Sequence, residues 1–351
     1  MMGYRNVYAV ILMFVFCTSC KRQNKTELPK DDIKSETKDV ITYHGPNSIT
    51  RNIIQDRKGN IWMASWEGVF RYDGKSFTNI TSGVSSARFF SLLEDRQGNL
   101  WFGSIGSGAY RYDGISFQNF TIDNGLLNNE IVCIYEDKLG HIWFGAFGGA
   151  SRYDGESFRN YIINEDSIME DRTGKTFPNS PRPPYEVNSI IEDKTGKFWL
   201  GTRGNTFLYD GKNFTVVARD GKPFKNVRTI IEDKKGNIWF GGNDGLWRHN
   251  GSTFANITNN FGGFVYEDRR GNIWTSSGSG NGQSDWALYR FDEKSFSNKY
   301  VAVPEIIKSN EEMIFGVLEA NDGSIWFGTP NGVNRYDGFT FNNFKGKESQ
   351  K

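Results

Sequence analysis

The chain is 351 residues long, 15% aromatic, and carries 42 basic against 41 acidic side chains for a net charge of +1. No basic block interleaved with aromatics stands in its body, which excludes a nucleic-acid-binding surface of the usual kind. Three histidines and three cysteines show no metal-ligand spacing and no nucleophile beside a base, so no metal, no cofactor and no catalytic residue is expected.

At the amino terminus Arg5 precedes an eleven-residue apolar run, residues 7–17, and Thr18-Ser19-Cys20 follows. That run is too short to cross a hydrocarbon core of about 30 Å. Residues 1–19 therefore read as a signal peptide. A cysteine after small residues resembles a bacterial lipobox, with Cys17 where leucine is usual; this makes Cys20 the lipidated mature N-terminus and the membrane its partner. Lys21, in place of an aspartate, favours the outer membrane over the inner, with the periplasmic and surface faces both open. Residues 20–39 are charged and nearly free of large apolar groups, so they read as a disordered tether reaching on the order of 25 Å.

From residue 40 the chain repeats. Seven framework tryptophans, Trp62, Trp101, Trp143, Trp199, Trp239, Trp274 and Trp326, span 264 residues over six intervals, a mean period of 44. Glycine stands three residues before each. Glutamate stands seven before, with Gln55 in the first copy, and aspartate follows it, with Ala320 in the last. A second signature near Arg-Tyr-Asp-Gly-x-x-Phe follows, ending at Phe77, Phe117, Phe158, Phe214, Phe254, Phe296 and Phe341. Around Trp101 four short strands are expected, A (89–95), B (100–103), C (109–113) and D (116–121), which is the content of a propeller blade. A small residue two positions after each Trp implies close approach of a neighbouring blade, and Trp with the signature Phe would fill the wedge between sheets. The expected fold is all-β: a seven-bladed β-propeller of four-stranded antiparallel blades over 40–345, with a tail at 346–351. The last blade has its own outer strand at 339–344, and residues 40–44 are expected to add to that blade's outer edge.

Ile-Glu-Asp-x-x-Gly-Asn-Ile-Trp-Phe-Gly, followed by Gly-Leu/Val-x-Arg-Tyr-Asp-Gly, resembles the repeat of the two-component regulator propeller family over about residues 49–344. The resemblance implies a periplasmic sensor propeller of the kind found in hybrid histidine kinases, several of which respond to carbohydrates. Only seven residues follow Phe344, so a free-standing member without a kinase is expected, acting through another protein. A streptogramin-lyase-like propeller enzyme would need His and Glu converging with a divalent cation at the mouth. His141 and His249 instead replace framework residues, and His44 precedes the first blade.

Residues that break the repeat carry individuality. Residues 164–185 form an insertion between blades three and four, in which 168–177 copies the strand-A cassette; it reads as a vestigial hairpin. Further surplus lies at 276–285 and 301–312. Cys133 reads as a small buried hydrophobe. Trp66, Trp286 and Arg203 fall in B–C loops, while Arg51 and Arg228 share one early position of strand A and Arg88 lies two residues earlier in register. Aromatic and guanidinium groups at a propeller mouth would hold a sugar or an anion. The expected product is a monomeric, non-enzymatic binding protein whose partner is a glycan or other small ligand; the alternative is a protein–protein platform.

Overall fold

In the computed structural model, residues 33–34, 40–171, 185–278, 286–292, 295, 305–309 and 313–346 are described; the expected signal peptide, Cys20, most of the tether and Phe296 lie outside them. Each cassette folds into an antiparallel sheet whose strands pair in chain order, giving seven blades. Blade two runs Arg88–Glu94, Leu100–Ile105, Ala109–Tyr112 and Ser116–Phe120 from the axis outward.

The repeated residues are joints. Every framework Trp is at most 5% exposed. In the first six blades its indole Nε1–H donates to the Asp six residues earlier, at 2.8–2.9 Å. The same carboxylate accepts a backbone N–H across the hairpin, as Asn99 to Asp95 at 2.8 Å, and Gly98 turns the corner at φ +88°. Blade seven has Ala320 there, and Ser324 accepts from Trp326 instead at 3.2 Å.

The Glu of the cassette reaches backward. Glu94, Glu136, Glu192, Glu232, Glu267 and Glu319 each accept the backbone N–H of a basic residue in the preceding blade's turn, Arg57 through Arg269. The ring closes with Asn321 donating to Gln55 at 2.7 Å. Gln55 departs from the repeat because its partner does too: the seam keeps the hydrogen bond and drops both charges.

Tyr and Phe of the second signature stack across the C–D hairpin, 4.2–4.9 Å between centroids. The Asp beside them accepts local backbone N–H groups. Ser76 and Lys75 hold the Asp73 carboxyl below its ordinary value, and Ser116 does so for Asp113 against some desolvation. Bonds from Thr340 bring Asp337 to about 2. For the buried Asp137 and Asp268, desolvation pushes up, but bonds from Trp143 and Trp274 and their neighbours outweigh it. All these values are depressed in the fold. Their stabilisation is therefore present above the unfolded carboxylate value of about 3.9 and lost as pH falls through the folded ones. A steep fall in melting temperature as pH drops from about 4 toward 2 is expected from thermal scans.

Several expectations about edges are corrected. Val40–Thr42 adds to Phe77–Asn79, the outer strand of blade one, not to the last blade. The chain then turns at Gly45, whose N–H donates to Phe344 of blade seven at 2.8 Å, so the segment bridges the seam but pairs on its own blade. Within the expected tether, Ile33–Lys34 pairs with the outer strand of blade two. Ile168–Asp171 of the insertion is a fifth strand on blade three, against Phe158–Ile163; the rest of the expected hairpin, residues 172–177, lies outside the described residues. The outer strand of blade six is Glu305–Ser309, drawn from what read as surplus loop. Phe341 does not fill a wedge: it is 53% exposed, and Phe344, three residues on, stacks on Trp326 at 5.3 Å instead.

Candidate functional site: the axial cavity

The innermost strand of six blades slips by one residue near its start, between Thr50 and Asn52, Phe89 and Ser91, Ile131 and Cys133, Val187 and Ser189, Val227 and Thr229, and Gly262 and Phe264. A bulge leaves one residue unpaired and re-aims its side chain. The residues so released are Arg51, Phe90, Val132, Asn188, Arg228 and Gly263, each eleven positions before its framework Trp. Phe315 holds that position in blade seven. All seven line one cavity of about 430 Å³ on the propeller axis, at the end where the D–A and B–C connections lie.

These side chains touch one another around the ring. The Arg51 guanidinium lies between Phe90 and Phe315, 4.7 and 4.5 Å from their centroids. Arg228 Nη1 donates to Asn188 Oδ1 at 3.4 Å. Glu186, only 3% exposed, lies 3.6 Å from Arg203 and 3.8 Å from Arg228. Arg203 is placed there by its own backbone N–H, which donates to the Glu186 carbonyl at 2.8 Å. Among the described residues, Arg51, Arg203, Arg228 and Glu186 are the charged groups in the lining. Cys133 also lines it, half-buried, its thiol against the Val187 carbonyl at 3.6 Å; burial pushes that thiol up to about 12, so it stays protonated and unreactive.

Of the residues singled out in the sequence, Arg51, Arg203 and Arg228 come together in this cavity. Arg88 and Trp66 do not line it; they pair with each other, the guanidinium 5.0 Å from the indole. Trp286 stands behind the lining, 5.7 Å from Phe261. Glu186, Phe90, Phe261, Phe264 and Phe315 were not anticipated. Reading the position eleven before each Trp as one column, rather than noting only that Arg51 and Arg228 share it, would have found Phe90 and Phe315.

None of the three histidines lines the cavity. His141 bonds Asp137 in the turn of the opposite face at 3.0 Å. His249 packs on Phe254 at 4.4 Å, and burial lowers its pKa. Among the described residues no group of three potential ligands could hold a metal ion.

The two component regulator propeller family matches the chain at residues 44–67, 83–106, 125–148, 181–204 and 221–244, the inner strands of blades one to five. No curated protein matches it in sequence. Among solved structures, an inactive virginiamycin B lyase from Staphylococcus aureus, with quinupristin, is similar at 15% identity and a TM-score of 0.61, covering 85% of this chain and 99% of that one. The WD40 propeller domain of Doa1 is similar at 13% identity and TM-score 0.54, covering 84% and 94%. These likenesses are of fold. BT3049 from B. thetaiotaomicron, described as the extracellular domain of a hybrid two component system, is 22% identical with a TM-score of 0.42, covering 82% of this chain and 45% of that one. The chain is a seven-bladed propeller whose blades one to five carry two-component regulator propeller repeats.

Proposed function

We propose that this protein is a non-enzymatic cell-envelope propeller that binds a small ligand in its axial cavity, in a sensing or uptake system of the two-component regulator type. The observation that carries this reading is the bulge ring. Seven equivalent positions differ in every blade but for the repeated Arg and Phe, and together they enclose a cavity of about 430 Å³, within the usual size of small-molecule sites. The repeat family supports a sensing role. The leader and Cys20 support attachment to the envelope, the outer membrane first. Histidines held away from the cavity support binding over a metal-assisted lyase reaction.

Two measurements test the reading. Cys20→Ala is expected to move the protein from the membrane fraction to the soluble fraction; unchanged membrane attachment would defeat the anchor. In a tryptophan-fluorescence screen against saccharide fragments, Phe315→Ala, which removes a ring from the lining, is expected to weaken binding about tenfold, on the order of 1.4 kcal/mol, while Trp66→Ala leaves it unchanged. An equal loss in both variants would place the ligand on the rim, and a stable protein partner recovered with no response to saccharides would favour the platform reading.

A further inference from the structure

We propose that the outer edge of blades seven, one and two is a lipid-contacting surface, which lies against the membrane at the C–D turns. The proposal rests on the reading of Cys20 as the membrane anchor. Five of the nine large hydrophobic side chains that stand exposed among the described residues lie on these three consecutive blades. Ile115 and Phe339, 82% and 94% exposed, hold the same tip position of the C–D turn in blades two and seven, two residues after Asp113 and Asp337. Blades three, four and five carry Glu156, Lys212 and Ser252 there, so the apolar tips belong to one side of the ring. Between them, on blade one, Thr42 pairs with Phe77, the first residue of the outer strand. Tyr43, 91% exposed, therefore emerges at the C–D turn end of that blade, with Ile41 also exposed beside it. The Gly45 N–H, which donates to the Phe344 carbonyl at 2.8 Å, ties this segment to blade seven, whose own outer strand begins with the exposed Phe341.

The path of the chain gives this patch its partner. Lys34 pairs with Ser116, next to Ile115 on blade two. Cys20 is thirteen residues before Ile33, a span of at most about 45 Å at roughly 3.3–3.6 Å per residue. The anchor is thus joined to the propeller at the edge where the exposed apolar groups gather. Aromatic and branched apolar side chains settle at the boundary between headgroups and acyl chains. Burying a turn there is costly when its backbone N–H groups lose water, and these turns have already satisfied theirs. Asp113 accepts the N–H groups of Ile115 and Ser116, and Asp337 those of Phe339 and Thr340, at 2.7–2.9 Å. The same bonds hold both carboxylates ionised, so each tip carries a charge that opposes anionic headgroups, and apolar burial drives the contact. The axial cavity lies at the other end of the blades, with the D–A and B–C connections, so its ligand would enter from the side away from the lipid.

Introduced cysteines test this site by site, because the Cys133 thiol stays protonated and does not compete for the label. Phe339→Cys and, at the equivalent tip of blade five, Ser252→Cys each receive an environment-sensitive fluorophore on the full-length protein in phosphatidylcholine vesicles. Spin-labelled lipid is expected to quench the label at position 339 about fivefold more strongly than the label at 252. The difference is expected to persist in about 0.5 M sodium chloride, where exposed charges are screened. In the Cys20→Ala background, weak flotation with excess vesicles is expected to fall about tenfold on adding Phe339→Ser with Tyr43→Ser; both side chains are nearly fully exposed, so the melting temperature is expected to hold. Equal quenching at both positions, quenching lost in salt, or flotation indifferent to the double variant would overturn the proposal. A label at 339 shielded without lipid, in a protein that sediments as a dimer, would give the patch to a second copy and overturn it too. If Cys20→Ala releases the protein from membranes while position 339 stays unquenched in the anchored form, this proposal fails and the anchor stands. If attachment survives Cys20→Ala and the double variant removes it, the anchor fails and the lipid-contacting surface stands.

Discussion

Trp143→Ala is expected to cost about 3–5 kcal/mol of folding stability and to lower the melting temperature by on the order of 10 °C. Trp143 is 1% exposed and sits between blades three and four. It stacks on Tyr161 of its own blade at 5.2 Å and on Phe198 of the next at 4.8 Å. Removing it opens a cavity in the wedge and takes a donor from Asp137, whose carboxylate it meets at 2.9 Å. The rigid neighbours are the outer faces of two sheets, so little collapse can offset the void. Trp66→Ala is the control. That residue is 37% exposed and its identified ring contact is with the Arg88 guanidinium, so its loss is expected to stay within about 1 kcal/mol. Urea unfolding of the two variants checks the contrast; comparable losses would mean that the framework Trp is not the wedge.

Gly328→Val is expected to open the ring at its seam, with a loss of about 3 kcal/mol or more, at or beyond the upper end of ordinary overpacking. Gly328 follows Trp326 by two residues, and a side chain there would collide with the Thr50 carbonyl of blade one. A backbone carbonyl cannot rotate aside as a side chain would. This joint also lacks the glutamate and basic residue that meet at the other six, having Gln55 with Asn321. Gly278→Ala has no heavy atom of the described residues within 4 Å of the added methyl and is expected to change stability by less than about 0.5 kcal/mol. Denaturant midpoints for both variants decide the matter: a mild effect at Gly328 would show that the blades can part there without cost.

Sequence alone determined the blade. The period, the Asp-to-Trp spacing, the turn glycine and the small residue two after Trp are local constraints, each met within one hairpin or against one neighbour, so each leaves a trace at a fixed offset. The role of Gly145 shows this: a side chain there would strike Cys133 of its own blade and Val187 of the next, so the exclusion of large residues is visible in the repeat itself. Tertiary structure alone decided which edge receives a spare strand. The outer edges of the blades offer the same unpaired backbone groups, so the residues of Val40–Thr42 or Ile168–Asp171 do not name their partner; the path of the chain into blade one and out of blade three does. The cavity divides in the same way. Arg51, Arg203 and Arg228 were conspicuous because arginine breaks the pattern. Glu186 and the phenylalanines were not, since an acid before a strand and a Phe within one are ordinary in this repeat. A site forms around them because a one-residue bulge, a property of backbone register rather than of composition, turns the same position of six blades toward the axis.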